Sequence, residues 1–425
     1  MIRNGMFLIA LLLGFAGKAQ TGSFLIENVV LHLPDKTIEN GVLGVMGDSI
    51  VLAADARVIK FDKRLYDTIY NAGGNHLWPG FISLNTVIGL TEIDAVRATR
   101  DYDETGDMNP HVRSLTSFNT DSKILATLVN NGVLMVQSCP RGGLISGSSS
   151  VFTSLGWNWE DAALKADDGI HINWPSLRSR RHAADTGDAS RKALQAQQKL
   201  DEFFALSRAY CSNPKPEKKN LLYEAMRPVF AGQSNVYFHA SLQRDIRDAL
   251  LFAARHEIKR PVLVGAEECL SEAALIKQMN VPVILARLFR LPDLPDQSPV
   301  AAAELPSKLQ QAGILVALCY EGDMEAMGSR NLPFTAGNAI AYGLTEQEAM
   351  NMISANAAKI LGIDSDYGSL EPGKKASFFL CKGDALDMRG SGALQVWING
   401  KEQSTDNHQK QLYRRYMQHY KLQAE

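Results

Sequence analysis

Cysteine is scarce in this chain of 425 residues: there are five cysteines, each at least 50 residues from the next, and no Cys-x-x-Cys pair. The spacing excludes zinc knuckles and thioredoxin-like redox motifs, which need two cysteines close together in the sequence. The odd number also leaves at least one thiol outside any intramolecular disulfide. We interpret the cysteines as small buried apolar side chains, which is the usual environment of a free cysteine.

An excess of charge of either sign is also lacking. Lys and Arg number 44 and Asp and Glu number 46, which gives a net charge of -2. No overall basic field exists to attract a phosphate backbone, and no local basic patch replaces it, so we predict no nucleic-acid partner. With 45% hydrophobic and 21% charged residues, the chain is not globally disordered, collagen-like or a coiled coil.

Long hydrophobic runs are missing except near the N-terminus, where the uncharged run from Asn4 to Gly17 has 14 residues. This run is too short for a hydrocarbon layer of about 30 Å. Arg3 precedes it and small residues end at Ala19, which is typical of a secretory signal peptide cleaved after Ala19. We therefore predict a periplasmic or secreted protein with no membrane span after cleavage. A permanent N-terminal anchor is the alternative.

Short apolar runs separated by turn residues occupy positions 24–60 and return after Gly368, which predicts small-sheet strands at both ends of the chain. Between these ends, strand-like runs alternate with helix-like stretches, a pattern that favours a parallel α/β sheet closed into an eight-stranded barrel. The fold class predicted is α/β: a (β/α)8 TIM-like barrel with a small β-sandwich domain built from both chain ends. The predicted boundaries are 1–19 for the signal peptide, 20–78 and 365–403 for the β-sandwich domain, 79–364 for the barrel and 404–425 for a helical tail.

The segment Leu77–Leu90, with the sequence Leu-Trp-Pro-Gly-Phe-Ile-Ser-Leu-Asn-Thr-Val-Ile-Gly-Leu, resembles the start of the barrel in the amidohydrolase superfamily, near its imidazolonepropionase-like branch. That family has Pro-Gly-Phe-Ile-Asp-x-His-x-His here. The most specific likeness is in Ala355–Gly362 and Gly368–Ala376, which are similar to the family's last barrel helix and the return of the chain into the β-sandwich. The resemblance implies a metal-dependent hydrolase of carbon-nitrogen bonds other than ordinary peptide bonds, acting on a cyclic amide or a dipeptide-like compound. Shorter matches lie at Val112–Leu115, Asn131–Val133, Gly142–Gly147, Gly343–Thr345 and Ala349–Met350.

The first-strand metal ligands of the family are replaced in this sequence. Asn85 and Val87 stand at the positions of the two histidines, and Ser83 stands at the position of the preceding Asp. Valine cannot bind a metal, and an amide oxygen is a weaker ligand than imidazole for a zinc-type ion. The usual metal-hydroxide mechanism is therefore in doubt.

Two candidate site residues remain where the resemblance places functional groups. His239 occupies the position of a metal-binding His after a central strand, whereas the next histidine position holds Gly265. Glu321 aligns with the last-strand Asp that serves as metal ligand and general base, and a glutamate can take a proton from water in the same way. Asp323 is a nearby substitute. Because zinc sites use three or four protein ligands, we expect either one weakly bound divalent ion, such as zinc, or none.

Further residues are open candidates for the barrel mouth. Asn85 and Arg330 are predicted to contact the substrate, with Arg330 suited to a carboxylate. His171, His111 and His182 could take the place of a missing ligand. The glycine- and serine-rich stretch 141–150 favours a flexible connecting loop, although its backbone amides could bind an anion.

Two functions follow from this pattern. The first is an exported hydrolase of a non-peptide carbon-nitrogen bond, with Glu321 as the base and His239 as a metal ligand or electrophile. The second is a catalytically inactive relative that binds a small molecule at the barrel mouth or serves as partner to an active paralogue. A homo-oligomer is a further possibility for the assembly.

Overall fold

The computed structural model describes residues 22–176, 186–292, 297–322, 324–390 and 392–422. The predicted signal peptide, His182 and Asp323 lie outside these residues. The strands of the described residues are β1 Phe24–His32, β2 Thr37–Met46, β3 Ser49–Asp55, β4 Thr68–Asn71, β5 His76–Pro79, β6 Phe81–Thr86, β7 Val133–Ser138, β8 Ile145–Thr153, β9 Ala163–Asn173, β10 Asn235–Ala240, β11 Pro261–Gly265, β12 Val283–Leu285, β13 Val316–Leu318, β14 Phe378–Cys381, β15 Ala393–Ile398 and β16 Lys401–Gln403.

The helices surround these strands and include a long one, α3, and a C-terminal one, α13. None of the described helices is both long enough and apolar enough to cross a membrane. The helices are α1 Lys123–Leu128, α2 Trp159–Ala162, α3 Thr186–Cys211, α4 Leu221–Glu224, α5 Arg227–Phe230, α6 Gln243–Arg255, α7 Ala273–Gln278, α8 Ala301–Gln311, α9 Glu325–Gly328, α10 Leu332–Ile340, α11 Glu346–Met352, α12 Ala355–Leu361 and α13 His408–Tyr420.

One sheet combines strands from the two ends of the chain, in the order β16-β15-β14-β5-β1-β2-β3, with β4 also paired to β1. The two ends meet where β5 pairs antiparallel with β14, placing Trp78 opposite Phe379. Aromatic side chains fill one face of this sheet: the rings of Phe24 and Trp397 are stacked with their centroids 5.8 Å apart. Burial of such large rings supplies most of the stabilisation of a small sheet.

The second sheet contains eight strands in the order β6 to β13 and forms the barrel. Alternate residues of its strands, among them Ile82, Leu84 and Val262, form one buried apolar cluster, as expected from the two-residue period of a strand. Its two end strands meet at the mouth, where Asn85 Nδ2 lies 4.0 Å from Cys319 Sγ. The predicted fold class, an α/β TIM-like barrel with a β domain built from both chain ends, is confirmed.

The barrel departs from the all-parallel pattern at β8, which pairs antiparallel with both β7 and β9. Residues 139–144 join β7 to β8, and such a short link can only produce antiparallel neighbours, because a parallel crossover needs about a dozen residues. The flexible-loop interpretation of 141–150 is therefore wrong for most of that stretch. Every residue of β8 is buried, although its many serines and its glycine are typical of a loop.

Helix boundaries follow local sequence signals. The stretch 345–361 forms two helices, α11 and α12, which are separated by Ile353 and Ser354. Helix α11 begins at a capping box, in which Thr345 and Glu348 satisfy each other's backbone N–H groups. Helix α12 ends at Gly362, which has a left-handed backbone with φ +68°.

Candidate functional site

The carboxyl ends of β6, β9 and β10 bring polar side chains together at the barrel mouth, where sites of this fold form. Asn85, on β6, is 1% exposed and has a left-handed backbone with φ +49°. Asparagine tolerates this conformation better than most residues. In this conformation the side chain and the backbone carbonyl of Asn85 both face the segment that follows β7.

Arg141, which follows β7, binds Asn85 twice. Its Nη1 donates to Asn85 Oδ1 at 2.7 Å, and its Nη2 donates to the Asn85 backbone oxygen at 2.8 Å. The Nη2 atom also donates to Glu325 Oε1 at 2.9 Å, and that oxygen accepts the backbone N–H of Val87 at 3.0 Å. A guanidinium therefore joins the end of β6 to helix α9, across the positions where the family resemblance places metal ligands.

The Arg141 and Glu325 side chains are only 24% and 12% exposed. Burial alone would lower the pKa of Arg141, but the nearby Glu325, Cys139 and Glu321 outweigh it and the pKa of Arg141 is raised. Burial raises the pKa of Glu325, which Arg141 opposes. Arg141 is therefore a permanent cation at the mouth, and Glu325 is the carboxylate closest to it.

His239 and His171 form a pair beside this cation, with His171 Nδ1 and His239 Nε2 2.9 Å apart. Burial, aided by Arg141, lowers the pKa of His239 to about 3. Burial, His239 and Arg141 lower the pKa of His171 well below its ordinary value. Both rings are consequently neutral near pH 7, with one nitrogen donating to the other. His171 Nε2 is buried and has no hydrogen-bond partner in the described part of the chain.

A buried network supports the mouth from below. Asp168 accepts hydrogen bonds from Gln137 Nε2 at 2.8 Å and from the Tyr237 hydroxyl at 2.5 Å. Gln137 Oε1 accepts the backbone N–H of Asn85 at 3.0 Å. Burial raises the pKa of Asp168, while Lys165, whose Nζ is 3.3 Å away, opposes that shift. The backbone of Asn85 is thus held by Gln137 on β7, which is itself held by Asp168 on β9.

Glu321 follows β13 and is half-buried. With Arg287, Tyr320 and Thr335 it lines a cavity of about 200 Å³. Because it follows the carboxyl end of β13, it lies at the same end of the barrel as Asn85 and His239. The part of the chain that the structure describes offers Glu321 no hydrogen bond or ion pair.

Arg330 is not brought to this cluster. Its backbone carbonyl accepts a hydrogen bond from Asn131 Nδ2 at 2.8 Å, and Asn131 lies two residues before the start of β7. The backbone of Arg330 therefore lies beside the amino-terminal end of that strand, whereas Asn85 and His239 lie at carboxyl ends. The chain turns away from the mouth after Glu321, so that the short helical turn Ser329–Asn331 packs against the turn before β7.

A larger cavity of about 430 Å³ opens above Arg141, and we call it the mouth cavity. Small-molecule sites in proteins commonly have this size. Its wall combines the end of β6, helix α9 and the segment after β6. The polar and charged residues of the wall are Asp94, Arg100, Tyr102, Arg141 and Glu325.

The residues present do not fit the metal centre that the family resemblance implies. Across residues 22–176, 186–292, 297–322, 324–390 and 392–422, no three His, Cys, Asp or Glu side chains are grouped so that they could hold a metal ion. Asn85 Oδ1, the remaining donor of the first strand, accepts from Arg141 instead. A divalent ion beside a guanidinium would also be repelled by its charge.

Sequence reasoning missed the residues that organise the mouth, namely Arg141, Glu325 and the pairing of His171 with His239. One signal was available for Arg141, because a charged residue just after a barrel strand lies at the functional end of the fold. Glu325 had no such signal, since its bond to Val87 spans 238 positions.

Comparison with known proteins agrees with this architecture. Residues 217–403 match the model of the amidohydrolase family. This matched segment, which is less than half of the chain, is similar to the amidohydrolase family. Membership of the imidazolonepropionase-like branch stays a prediction.

Among the solved structures that share the fold of this chain, two illustrate the likeness. An amidohydrolase from Thermotoga maritima MSB8 is 22% identical with a TM-score of 0.77, and the match covers 89% of this chain and 99% of that one. An adenosine deaminase from Xanthomonas campestris with bound zinc is 16% identical with a TM-score of 0.55, covering 93% and 97%. At these identities the likeness concerns the fold.

Curated relatives match only a short segment of this chain. An N-acetylgalactosamine-6-phosphate deacetylase of Escherichia coli O157:H7 is 44% identical over 59 residues, which is 14% of each chain. A relative from Escherichia coli K12 matches over 59 residues, or 32% of its own length. The chain thus spans less than a third of the curated relatives it matches.

Proposed function

We propose that this chain is an amidohydrolase-superfamily protein that binds a small polar molecule in its mouth cavity and has no metal-dependent hydrolase activity. The observation that carries the proposal is the double hydrogen bond from Arg141 to Asn85, at 2.7 and 2.8 Å. The guanidinium supplies the positive charge at the mouth that the family otherwise obtains from a metal. The guanidinium also links the end of β6 to helix α9 and neutralises the Glu325 carboxylate.

The chemistry of the mouth supports binding over metal catalysis. A metal lowers the pKa of a bound water to about 7, but a guanidinium has no open coordination position and cannot do this. The two histidines are neutral and bonded to each other, so His239 is not free as a ligand in this arrangement. Donors and acceptors nevertheless face the mouth cavity, as recognition of a polar molecule requires.

Metal-independent hydrolysis of a non-peptide carbon-nitrogen bond is the second candidate, with a cyclic amide or dipeptide-like substrate. Two observations support it. Residues 217–403 match the amidohydrolase family, and Glu321 is half-buried and has no partner among the described residues. In that reaction Glu321 takes a proton from water as the oxygen adds to the amide carbon. The carbon-nitrogen bond then breaks, and the nitrogen receives the proton from Glu321.

Metal content and turnover together test both candidates. We expect purified protein to hold far less than one divalent ion per chain after dialysis, and to release no product from a panel of cyclic amides, N-acyl compounds and dipeptides. Stoichiometric metal with EDTA-sensitive turnover would contradict the proposal. Turnover that resists EDTA and is lost in Glu321→Gln, but kept in the exposed control Glu202→Gln on α3, would select the second candidate.

Export is a separate proposal, supported by Arg3, the apolar run after it and the small residues up to Ala19. N-terminal sequencing of the protein from the periplasm or medium of the producing cell should begin at Gln20. An uncleaved chain in the membrane fraction would select the anchor instead. A second copy or an active paralogue as partner stays a prediction.

A further inference from the structure

We infer that the mouth cavity binds the carboxylate of a small molecule that also carries an N–H group, and that Arg100 holds this carboxylate. The inference rests on the proposed function and adds the class of ligand. It depends on which charges at the mouth are already compensated and which are not.

Arg100 is the uncompensated cation of the mouth cavity. Its side chain lines the cavity, and its buried Nε atom has no hydrogen-bond partner in the part of the chain that the structure describes. The described residues give its guanidinium no carboxylate partner. Arg141 on the same wall is different, because Glu325 and Asn85 accept its N–H groups. A buried donor without an acceptor costs free energy, and an incoming acceptor removes that cost.

The backbone holds Arg100 in place before any ligand arrives. Thr91 and Arg100 form an antiparallel bridge, and the next residue, Asp101, donates its N–H to the Leu90 carbonyl at 2.7 Å. The carbonyl of Tyr102 accepts the Arg141 backbone N–H at 2.6 Å. The segment after β6 is therefore fastened on both sides of Arg100, and a preorganised site binds with less loss of conformational entropy.

A guanidinium presents pairs of parallel N–H groups, and their spacing matches the two oxygens of a carboxylate. Because Arg100 Nε is closed off from solvent, we expect its side chain to shift slightly on binding. Tyr102 also lines the cavity, and a tyrosine hydroxyl can donate to the same anion. Arg100 and Tyr102 thus form the part of the site that binds the carboxylate.

The acidic residues of the cavity wall indicate which group the ligand carries besides its carboxylate. Glu325 is occupied by Arg141 and Val87. Among the described residues Asp94 accepts a hydrogen bond only from the Thr91 hydroxyl, at 3.4 Å, and retains acceptor capacity. Two carboxylates on the wall repel a phosphate dianion more than a carboxylate. A ligand whose N–H group reaches Asp94 gains a further hydrogen bond, so the favoured class is an N-acyl amino acid or a dipeptide-like acid.

Binding of N-acetylglycine tests this inference, with N-acetylglycinamide and inorganic phosphate as matched probes. The Nε–H resonance of Arg100, assigned by its loss in Arg100→Gln, is followed by NMR in the full chain. Titration calorimetry is run on the wild type, on Arg100→Gln and on Arg97→Gln. Arg97 is exposed on the same segment, and its variant controls for loss of positive charge near the mouth.

We expect saturable binding of N-acetylglycine with a shift of the Arg100 resonance, at least about tenfold weaker binding in Arg100→Gln, and wild-type affinity in Arg97→Gln. Absence of a saturable shift, equal affinity for the neutral amide, or preference for phosphate would each overturn the inference. Stoichiometric metal with EDTA-sensitive turnover would instead overturn the proposed function, even if Arg100 still bound the carboxylate.

Discussion

Arg141 donates one hydrogen bond to the side-chain oxygen of Asn85 and another to its backbone oxygen, at 2.7 and 2.8 Å, across 56 positions of the sequence. The same guanidinium contacts Glu325 on α9. A single cation thus holds three parts of the barrel mouth together, so its removal should affect stability as well as binding.

Replacing Arg141 with Met is expected to lower the free energy of unfolding by about 3 kcal/mol, because the Glu325 carboxylate stays buried without its cation. Urea unfolding followed by circular dichroism measures this change. The double variant Arg141→Met/Glu325→Met should lie closer to wild type than the single variant, since no unpaired charge remains.

The exposed ion pair of Arg113 with Asp167 is the matched control, with a distance of 2.7 Å and side chains 44% and 38% exposed. Arg113→Met should cost no more than about 1 kcal/mol. Equal losses in Arg113→Met and Arg141→Met would show that Arg141 is an ordinary surface residue and would remove the main support for the proposed function.

Acid should destabilise the protein through the histidine pair. The pKa of His239 falls from an ordinary 6.5 to about 3 on folding, so the unfolded chain binds the extra proton between these values. The contribution to stability is therefore complete above pH 6.5 and is lost as the pH falls, at up to about 1.4 kcal/mol per pH unit. His171 acts in the same direction, while the raised pKa of Asp168 acts in the opposite one.

Comparison of variants separates His239 from these other groups. Urea unfolding from pH 4 to 7 should give a shallower pH dependence for His239→Asn than for the wild type, whereas the exposed His111→Asn should keep the wild-type slope. Identical slopes in all three proteins would mean that His239 is already accessible to protons in the folded state.

The fold could be predicted from the sequence because the spacing of apolar residues depends only on the local strand or helix. The alternation of apolar runs and helices identified the barrel, and turn-separated runs at both ends identified the end sheet. Strand β8 was missed because its serines are buried through contacts that only the sheet provides. One of these is the hydrogen bond from the Ser149 hydroxyl to the Gly169 carbonyl at 3.2 Å.

The site was less predictable because its contacts are long-range. The sequence indicated that Asn85 replaces a metal ligand, but the replacement cation comes from another strand end and its carboxylate from a helix after the last strand. Arg330 shows the same difficulty, since its closeness in sequence to Glu321 does not bring its backbone beside Asn85 and His239.

Cys211 should be the cysteine that reacts with a thiol reagent in the native protein. The five cysteines are free, and Cys211 alone is not fully buried. Burial raises the pKa of Cys269 and of Cys381 to about 12, which keeps them protonated and unreactive. We expect one thiol per native chain to react readily with Ellman's reagent, and that reaction to vanish in Cys211→Ser. Several fast thiols in the native wild type would contradict the buried packing of the others.

The contact between the barrel and the end sheet is testable at Gly132. This glycine precedes β7 with φ +74°, and a Cβ atom there would lie 2.2 Å from the Phe379 ring on β14. Gly132→Ala therefore combines left-handed strain with a steric collision and should cost roughly 2–4 kcal/mol in urea unfolding. At Gly73, with φ +62°, an added Cβ atom would have no atom of the described residues within 4 Å, so Gly73→Ala should show the strain alone, at about 1 kcal/mol.

A second substitution separates collision from strain at Gly132. Trimming the ring in Gly132→Ala/Phe379→Leu should recover part of the loss, since the two changes occupy the same space. If the barrel and the end sheet are packed as one unit, both should unfold in a single transition in every variant. A separate early transition in Gly132→Ala would show instead that the end sheet can detach while the barrel stays folded.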